Sequence, residues 1–476
     1  MPAKEESIEA LAAELHGEVI VPGATGFDDA RSIWNGMIDR RPAIIARCSD
    51  ESDVAAAVGF ASHNDLPLAV RGGGHGVAGQ AIADGGVVVD LSQLRAVAVD
   101  PVGRTATAQG GCTLADLDAA TQEHGLATPL GVVTKTGIAG LTLSGGIGWL
   151  RRKHGLSCDN LISARVVTAE GEVVIASEEE NADLLWGLRG GGGNFGVVTS
   201  LAYRLHPIGP QVHFCFVLFP AEEAAEVLRG VQAHLDTTGD PIAPLGVLGH
   251  VPEADEIPAE AHGRPYVAVV AMHTGPAEEG AEATAHLRSL AEPLADLSGT
   301  MPYTEAQGAL DEDYPDGWRY YWKSINVGGL SDEVIAGLTE CNAAAPSHHS
   351  TIDVWFQEGA MAEVGETDTA FANRRAPYLL GIEGNWEPDG EDAENVAWVR
   401  ATYDLMRPHS DGGVYLNFPG FLEEGEDLMR SGYGDNYERL GALKAKYDPG
   451  NLFRLNPNVP PAPRTGGARR GRRGRA

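Results

Sequence analysis

The sequence predicts an α+β fold in two main parts, and three observations carry that expectation. Over 42–207, short apolar runs alternate with glycine turns and a few helical stretches. Over 212–413 the apolar runs lengthen, as at 213–219 and 266–272, and alternate with alanine-rich helical stretches at 221–234 and 280–290. That second texture is the pattern of an antiparallel sheet covered by helices on one face. The chain's 476 residues exceed one ordinary core and suffice for two.

Taken in order, 43–47 read as a strand, 51–63 as an amphipathic helix capped by Ser49 or Asp50, and 66–70 as the next strand, a β-α-β unit. Strands are expected next at 86–90, 96–100, 105–109, 163–168, 173–176 and 196–205, with a helix at 182–188. The segment 414–459 returns to compact motifs around a short helix at 437–446. Natural boundaries fall at 1–207, 208–413 and 414–460, followed by a tail, 461–476, whose Arg/Gly composition cannot bury a core and is expected to be disordered. There is no internal repeat.

Composition narrows the function classes. The formal net charge is −32, and only six of the 35 basic residues are lysine. A strongly acidic, lysine-poor surface suits high salt, so a halophilic source is expected, and such a field repels phosphate backbones, which argues against nucleic acid as a partner. No run of eighteen apolar residues occurs and the first residues lack the pattern of an export signal, so no membrane span and a cytoplasmic location are expected. The five cysteines are scattered and read as buried free thiols. His348 and His349 lack a third ligand, so no metal site is expected.

The glycine-rich loops carry the first functional signal. Gly74, Gly76 and Gly79 have the G-x-G-x-x-G spacing after a strand, but the next strand starts near Gly86, too soon for the crossover helix of a Rossmann unit. Gly191, Gly193 and Gly196 repeat the spacing after a helical stretch, and there is no G-x-x-x-x-G-K-[ST] motif. With the loop 136–149, three stretches remain in which backbone N–H groups can approach a phosphate-bearing ligand closely.

Those loops belong to a recognisable set. Arg71-Gly-Gly-Gly-His-Gly, Gly85-Gly-Val-Val-Val-Asp-Leu-Ser, Gly110-Gly-Cys-Thr-Leu-Ala-Asp-Leu, Gly155-Leu-Ser-Cys-Asp-Asn-Leu and the run 183–199 resemble the FAD-linked oxidases of the vanillyl-alcohol oxidase superfamily, in the berberine bridge enzyme-like branch. Tyr415-Leu-Asn-Phe, Lys446-Tyr-Asp-Pro-Gly-Asn-Leu-Phe and Asn456-Pro-Asn-Val are similar to that branch's closing signature. The resemblance implies a two-lobed PCMH-type FAD-binding domain, completed by the C-terminal segment, plus a substrate domain over the flavin. It implies a covalent 8α-histidyl link at His75, with Arg71, Gly72, Gly73, Gly74, Gly76, Gly79, Gly137, Gly140, Gly145, Gly146, Val198 and Asn456 as further cofactor-binding residues. The second, cysteinyl link of many relatives is not expected, because Val133 stands at that position.

The chemistry so implied is removal of a hydride from a CH–OH or C–N group of a small substrate, with O2 or another acceptor taking the electrons onward. A base must accept a proton. The resemblance puts Tyr415 there, with Asn417 two residues on and expected on the same strand face, provided that a neighbouring cation or hydrogen-bond network lowers the phenol pKa. Tyr320, Tyr321, Asp353, Gln357 and Glu358 stay open as alternatives, and Thr136 is expected near the ring face. The competing readings are an NADPH-fed reductase with noncovalent FAD and a flavin-binding protein without turnover. Oligomeric state is unassigned.

Overall fold

The computed structural model describes residues 5–238, 242–255, 257–420, 423 and 425–463. Three main sheets organise the chain. The first contains Glu18–Ile20, Ile44–Arg47, Val87–Asp90 and Leu68–Arg71 in that spatial order, the last three parallel. Asp50 caps the helix Glu51–His63 by accepting the N–H groups of Ser52 and Asp53, and Val54, Ala57, Val58 and Ala61 bury against the sheet.

The strands that flank this helix are not neighbours: Val87–Asp90 lies between them. The parallel step from Leu68–Arg71 to Val87–Asp90 is made by 72–86, which contains no helix. A Rossmann crossover is therefore absent, and the loop is free to pass over the end of the sheet.

The second sheet is antiparallel, in the order Val97–Asp100, Thr105–Gln109, Val197–Arg204, Leu161–Val167, Val173–Ala176. Its buried face shares one core with Val414, Leu416, Tyr433, Tyr437, Leu440 and Leu443, so a segment more than two hundred residues downstream closes this lobe. Lys444 fastens the closure. Its ammonium is fully buried, lies 2.8 Å from Asp448 and donates to the carbonyls of Asn194 and Phe453 at 2.7 Å each.

The third sheet is antiparallel throughout: Ala295–Asp296, Gln211–Pro220, Pro265–His273, Leu245–His250, Thr351–Phe356, Tyr378–Trp386 and Arg319–Val327, with Gly299–Pro302 paired to the second of these. The helices Ala224–Thr238, Asp332–Ala343 and Asp392–Met406 cover one face through Val227, Leu338, Val399, Val354, Leu380 and Ile382. Period-two alternation sends Trp322, Trp355 and Leu379 to the opposite face, where they join Tyr415 and Val133.

Several expectations need correction. The stretch 280–290 is not one helix: Ala277–Ala283 ends as the Thr284 hydroxyl bonds back to the Gly280 carbonyl, and a separate 3-10 turn, Leu287–Ser289, buries Leu287. The pairs Glu18–Ile20 and Leu126–Ala127 with His206–Pro207 escaped the sequence reading because two or three residues carry no periodicity. The tail 464–476 lies outside the described residues, whereas residues up to Pro463 are placed, the Ala462 N–H donating to Gly441 at 2.8 Å. Cys48, Cys112, Cys158 and Cys215 are buried free thiols and Cys341 is half-buried. His348 and His349 sit in an exposed turn. Among the described residues no helix is long and apolar enough to cross a membrane.

Candidate active site

A long cleft runs between the glycine loops and the open face of the third sheet, with about 1810 Å³ of empty space, its mouth included. It is lined from one end to the other by the glycine loops, the sheet face and the closing segment 415–419 and 453–457.

At one side the loop leaving Leu68–Arg71 packs on the start of the helix Ile138–Leu143. A Cβ on Gly73 would lie 2.5 Å from the Gly137 nitrogen, and one on Gly137 would lie 2.4 Å from the Gly73 nitrogen. Two glycines are therefore needed where the backbones pass. Gly76 and Gly140 face open space, so side chains there would project into it. Gly72, Gly73, Gly74, His75, Gly76, Gly137, Gly140, Val198 and Asn456 all line the cleft, as do Val133 and Thr136. Bare backbone and apolar walls, with a single imidazole among them, suit the flat ring and pyrophosphate of FAD.

His75 is the one chemically reactive group on that wall. Its ring lies flat on Trp34, centroids 4.1 Å apart and planes at 16°, and Trp34 lies in turn on Tyr320 at 3.7 Å and 15°. Nδ1 is 3.4 Å from the Thr136 hydroxyl, whereas the buried Nε2 has no partner. Burial lowers the imidazole pKa to about 4, so the ring is neutral at ordinary pH.

The remaining sequence candidates divide. Arg71 does not line the cleft: its guanidinium bonds to Asp90 at 2.6 Å and to the Ala30 carbonyl, fixing the segment that carries Trp34. Gly79 is also outside, filled in by Ile38 at 2.6 Å from its Cβ position. Gly145 and Gly146 turn the chain at φ of 119° and 84° behind the wall.

Tyr415 and Asn417 line the cleft, but in a turn closed by the Phe418 N–H on the Tyr415 carbonyl, not on a strand. The turn still brings them together, Asn417 Nδ2 donating to the phenol oxygen at 2.8 Å, with the Gly146 N–H donating at 3.1 Å. Of the two aids expected, a cation or a hydrogen-bond network, the network is present, and no cation is among the described residues that line the cleft. Burial outweighs the hydrogen bonds and raises Tyr415 to about 12.

The sheet face supplies one of the alternatives left open, Asp353, and one residue that the sequence analysis missed, Glu383. Asp353 on Thr351–Phe356 and Glu383 on Tyr378–Trp386 both project into the cleft, buried at 3% and 2% exposure. They flank Gly381, whose missing Cβ would lie 3.3 Å from Asp353 and 3.4 Å from the Glu383 carboxylate. Tyr314 donates to Glu383 at 2.9 Å, and Asp353 Oδ1 has no partner. Desolvation pushes both carboxyls up from their ordinary range, repulsion from Asp313 adds to it for each, and Asp353 raises Glu383 further. Trp322, Trp355 and Phe418 complete the wall. Of the alternatives left open, only Asp353 reaches the cleft; Tyr321 and Glu358 are engaged elsewhere, with Glu423 and Arg152. Glu383 had a legible signal: in 378–386, Leu380 and Ile382 alternate with Gly381, Glu383 and Asn385, which puts a charge on a buried face.

Fold and cleft define a two-lobed flavin-binding enzyme with a substrate-facing sheet. Comparison with known proteins sharpens that class. Residues 42–177 match the family model described as FAD binding domain, and 414–460 match that described as berberine and berberine like. The chain is 31% identical to (R)-6-hydroxynicotine oxidase of Paenarthrobacter nicotinovorans, over 94% of this chain and 97% of that one. It is 41% identical to the FAD-linked oxidoreductase pgmH of Aspergillus terreus, over 94% of each. Among solved structures, 6-hydroxy-D-nicotine oxidase of Arthrobacter nicotinovorans superposes with a TM-score of 0.83 at 29% identity, covering 94% of this chain and 98% of that one. Xylooligosaccharide oxidase of Myceliophthora thermophila shares the fold, with a TM-score of 0.84 at 23% identity over 96% and 100% of the two chains. The chain belongs to the FAD-linked oxidoreductases of the vanillyl-alcohol oxidase superfamily, in the berberine bridge enzyme-like branch.

Proposed function

We propose that the protein holds FAD covalently through His75 and oxidises a CH–OH or C–N group of a small substrate, the electrons passing on to O2 or another acceptor. The observation that carries this reading is the buried, unpartnered Nε2 of a neutral His75 on a glycine-lined wall. A neutral imidazole nitrogen is a nucleophile, and leaving it buried without a partner is costly unless a ligand engages it. Residues 1–207 and 414–460 form the cofactor domain in this reading, and 208–413 the substrate domain. Among the described lining residues there is no cysteine, and Val133 stands where a second link would need one. Relatives named for oxidation of a hydroxylated alkaloid and of oligosaccharides support small organic substrates.

FAD supplies a two-electron sink for the hydride when bound. The protein's own residues do the rest. The loops at Gly72–Gly76 and Gly137 approach the cofactor with backbone, and His75, wedged between Trp34 and Thr136, fixes its position. The sheet face presents Asp353 and Glu383, whose raised affinity for protons lets one of them accept the proton released as the substrate is oxidised. Tyr415, holding hydrogen bonds from Asn417 and Gly146, orients the reacting group. Packed aromatic side chains exclude water from that end of the cleft.

On a denaturing gel under acid, flavin fluorescence should stay with the wild-type band and vanish from His75→Ala. Free FAD released from wild type would refute the covalent link. Among variants, Glu383→Gln should lower turnover by about 10²–10⁴-fold. Tyr415→Phe, which removes an orienting hydroxyl, should cost about ten-fold, and a loss for Tyr415→Phe exceeding that of Glu383→Gln would return the base to the tyrosine.

A further inference from the structure

The guanidinium of Arg151 is fully buried, and its hydrogen bonds go to neutral carbonyls, none to a carboxylate. Nε and Nη2 donate to Phe356 at 3.0 and 2.8 Å, Nη1 donates to Gly148 at 3.1 Å and to Ala243 at 3.2 Å, and Nη2 also donates to Pro244. Every N–H of the fork is thereby used. Three segments meet there: the turn 145–150 of the cofactor lobe, the residues that enter Leu245–His250, and the end of Thr351–Phe356. The two strands are antiparallel neighbours with Leu245 opposite Trp355, so the fork closes one end of the pair.

What the fork holds is the sheet side of the cleft. Its central carbon lies 5.2 Å from the centre of the Trp355 ring, and Trp355 and Asp353, two residues apart on one strand face, both line the cleft. On the other side, the turn that carries Gly148 gives the Gly146 N–H to the Tyr415 phenol at 3.1 Å, and its Ile147 also lines the cleft. One side chain thus ties the two facing walls together. Packing alone does not call for a charge here: a buried cation without an acid is expensive, and an apolar side chain of similar size would fill the space at less cost. A planar fork with donors in fixed directions holds three backbone segments in register, which the single nitrogen of a lysine cannot do.

We propose that Arg151 is a positioning residue of the active site: its guanidinium fork sets how far Trp355 and Asp353 stand from the glycine wall that holds the flavin. The flavin reading enters only through one of the two measurements that test it. The residues that follow Arg151 support the same seam without replacing the fork. Arg152 donates to the Gln357 carbonyl and Lys153 to the Thr274 carbonyl at 3.0 Å, both just beyond strand ends. Gly359, at a φ of 63°, lets the short helix Arg151–His154 approach, since a Cβ there would lie 2.5 Å from the Arg152 carbonyl oxygen.

An indole close to a flavin quenches its fluorescence by electron transfer, steeply with distance, so the fluorescence decay of the native holoenzyme reads the Trp355 gap. The decay component that Trp355→Phe abolishes is the one this indole causes. Arg151→Lys keeps the charge, loses the fork and should slow that component several-fold; added to Trp355→Phe it should change nothing further. Arg319→Met, which breaks an ion pair with Asp392 away from the cleft, should lower the melting temperature and leave the component as it is. An unchanged component in Arg151→Lys, or an equal slowing in Arg319→Met, would overturn the proposal, as would a further change in the Trp355→Phe background. If Arg151→Lys does not fold, Gly359→Ala forces the same seam apart with the guanidinium intact and should slow the same component, and no change there would be equally decisive against it. Crystal structures of wild type and variant read the gap without any cofactor: Trp355 should stand farther from Gly137 in the variant, and an unchanged gap refutes the positioning role. A wild type that carries no flavin would defeat the oxidoreductase reading, while the crystallographic gap would still decide the role of Arg151.

Discussion

Trp34 stands forty-one residues before His75 in sequence and lies flat against it in space. Its indole Nε1 donates to the Tyr314 carbonyl at 3.0 Å, so the ring that backs the histidine is anchored to the segment carrying the Glu383 hydrogen bond. Trp34→Leu removes a flat support and should lower the fraction of covalently held flavin several-fold, while Trp34→Phe should retain most of it. Fluorescence of the denatured band, normalised to protein, measures both, and equal retention by the two variants would show that the stack is dispensable. His75 and the glycines around it were legible through the family resemblance that their loop carries, not through their spacing alone. Trp34 was not, because a lone tryptophan in sequence says nothing of the surface on which it lands, and Glu383 was legible only through the alternation of its own strand. Tyr415 shows the opposite error: its motif placed it in the cleft, yet only burial decides which way its proton affinity moves.

Elements were legible where their own chemistry sufficed. The helix Glu51–His63 with its Asp50 cap coincides with the expected 51–63, and the strands Val97–Asp100, Thr105–Gln109 and Val173–Ala176 fall within a residue of expectation. Pairing was not legible: Val87–Asp90 inserting between Ile44–Arg47 and Leu68–Arg71 depends on long-range contacts, not on local pattern. The helix Tyr437–Tyr447 depends on such contacts too, because the Lys444 ammonium is committed to the 190s loop and to Asp448. Lys444→Met leaves Asp448 as a buried charge whose remaining support is backbone N–H groups of Leu452 and Phe453. The variant should lose about 3–5 kcal/mol of stability by chemical denaturation. Because the same loop carries Gly193 and Asn194, flavin retention should fall with it; a loss under about 1 kcal/mol would mean that the pair is not structural.

At the scale of the whole molecule, the cleft couples stability to pH. Asp353 and Glu383 bind protons more tightly folded than unfolded, so their contribution is present below the ordinary carboxylate range and is lost as pH rises through their raised folded values. His75 acts in the other sense: its folded pKa of about 4 lies below the ordinary imidazole value of 6.5, so stability rises with pH between the two. Above that window only the carboxyls remain. Asp353→Asn should therefore gain melting temperature relative to wild type at about pH 8, by more than it gains at about pH 5. An equal difference at both values would mean that Asp353 carries no raised proton affinity.

The closure of the second sheet by 414–460 also fixes an order of events during synthesis. While the ribosome is still adding the last segment, Val198 and Gly193 already exist, but Tyr433, Leu440 and Asn456, which seal that wall, do not. Domains fold as units as they emerge, yet this lobe cannot close when its last strand, Val197–Arg204, has been made. The nascent chain must wait through the whole intervening sheet with the lobe's apolar face uncovered, and a copy that stops before 414 lacks the residues that seal this wall.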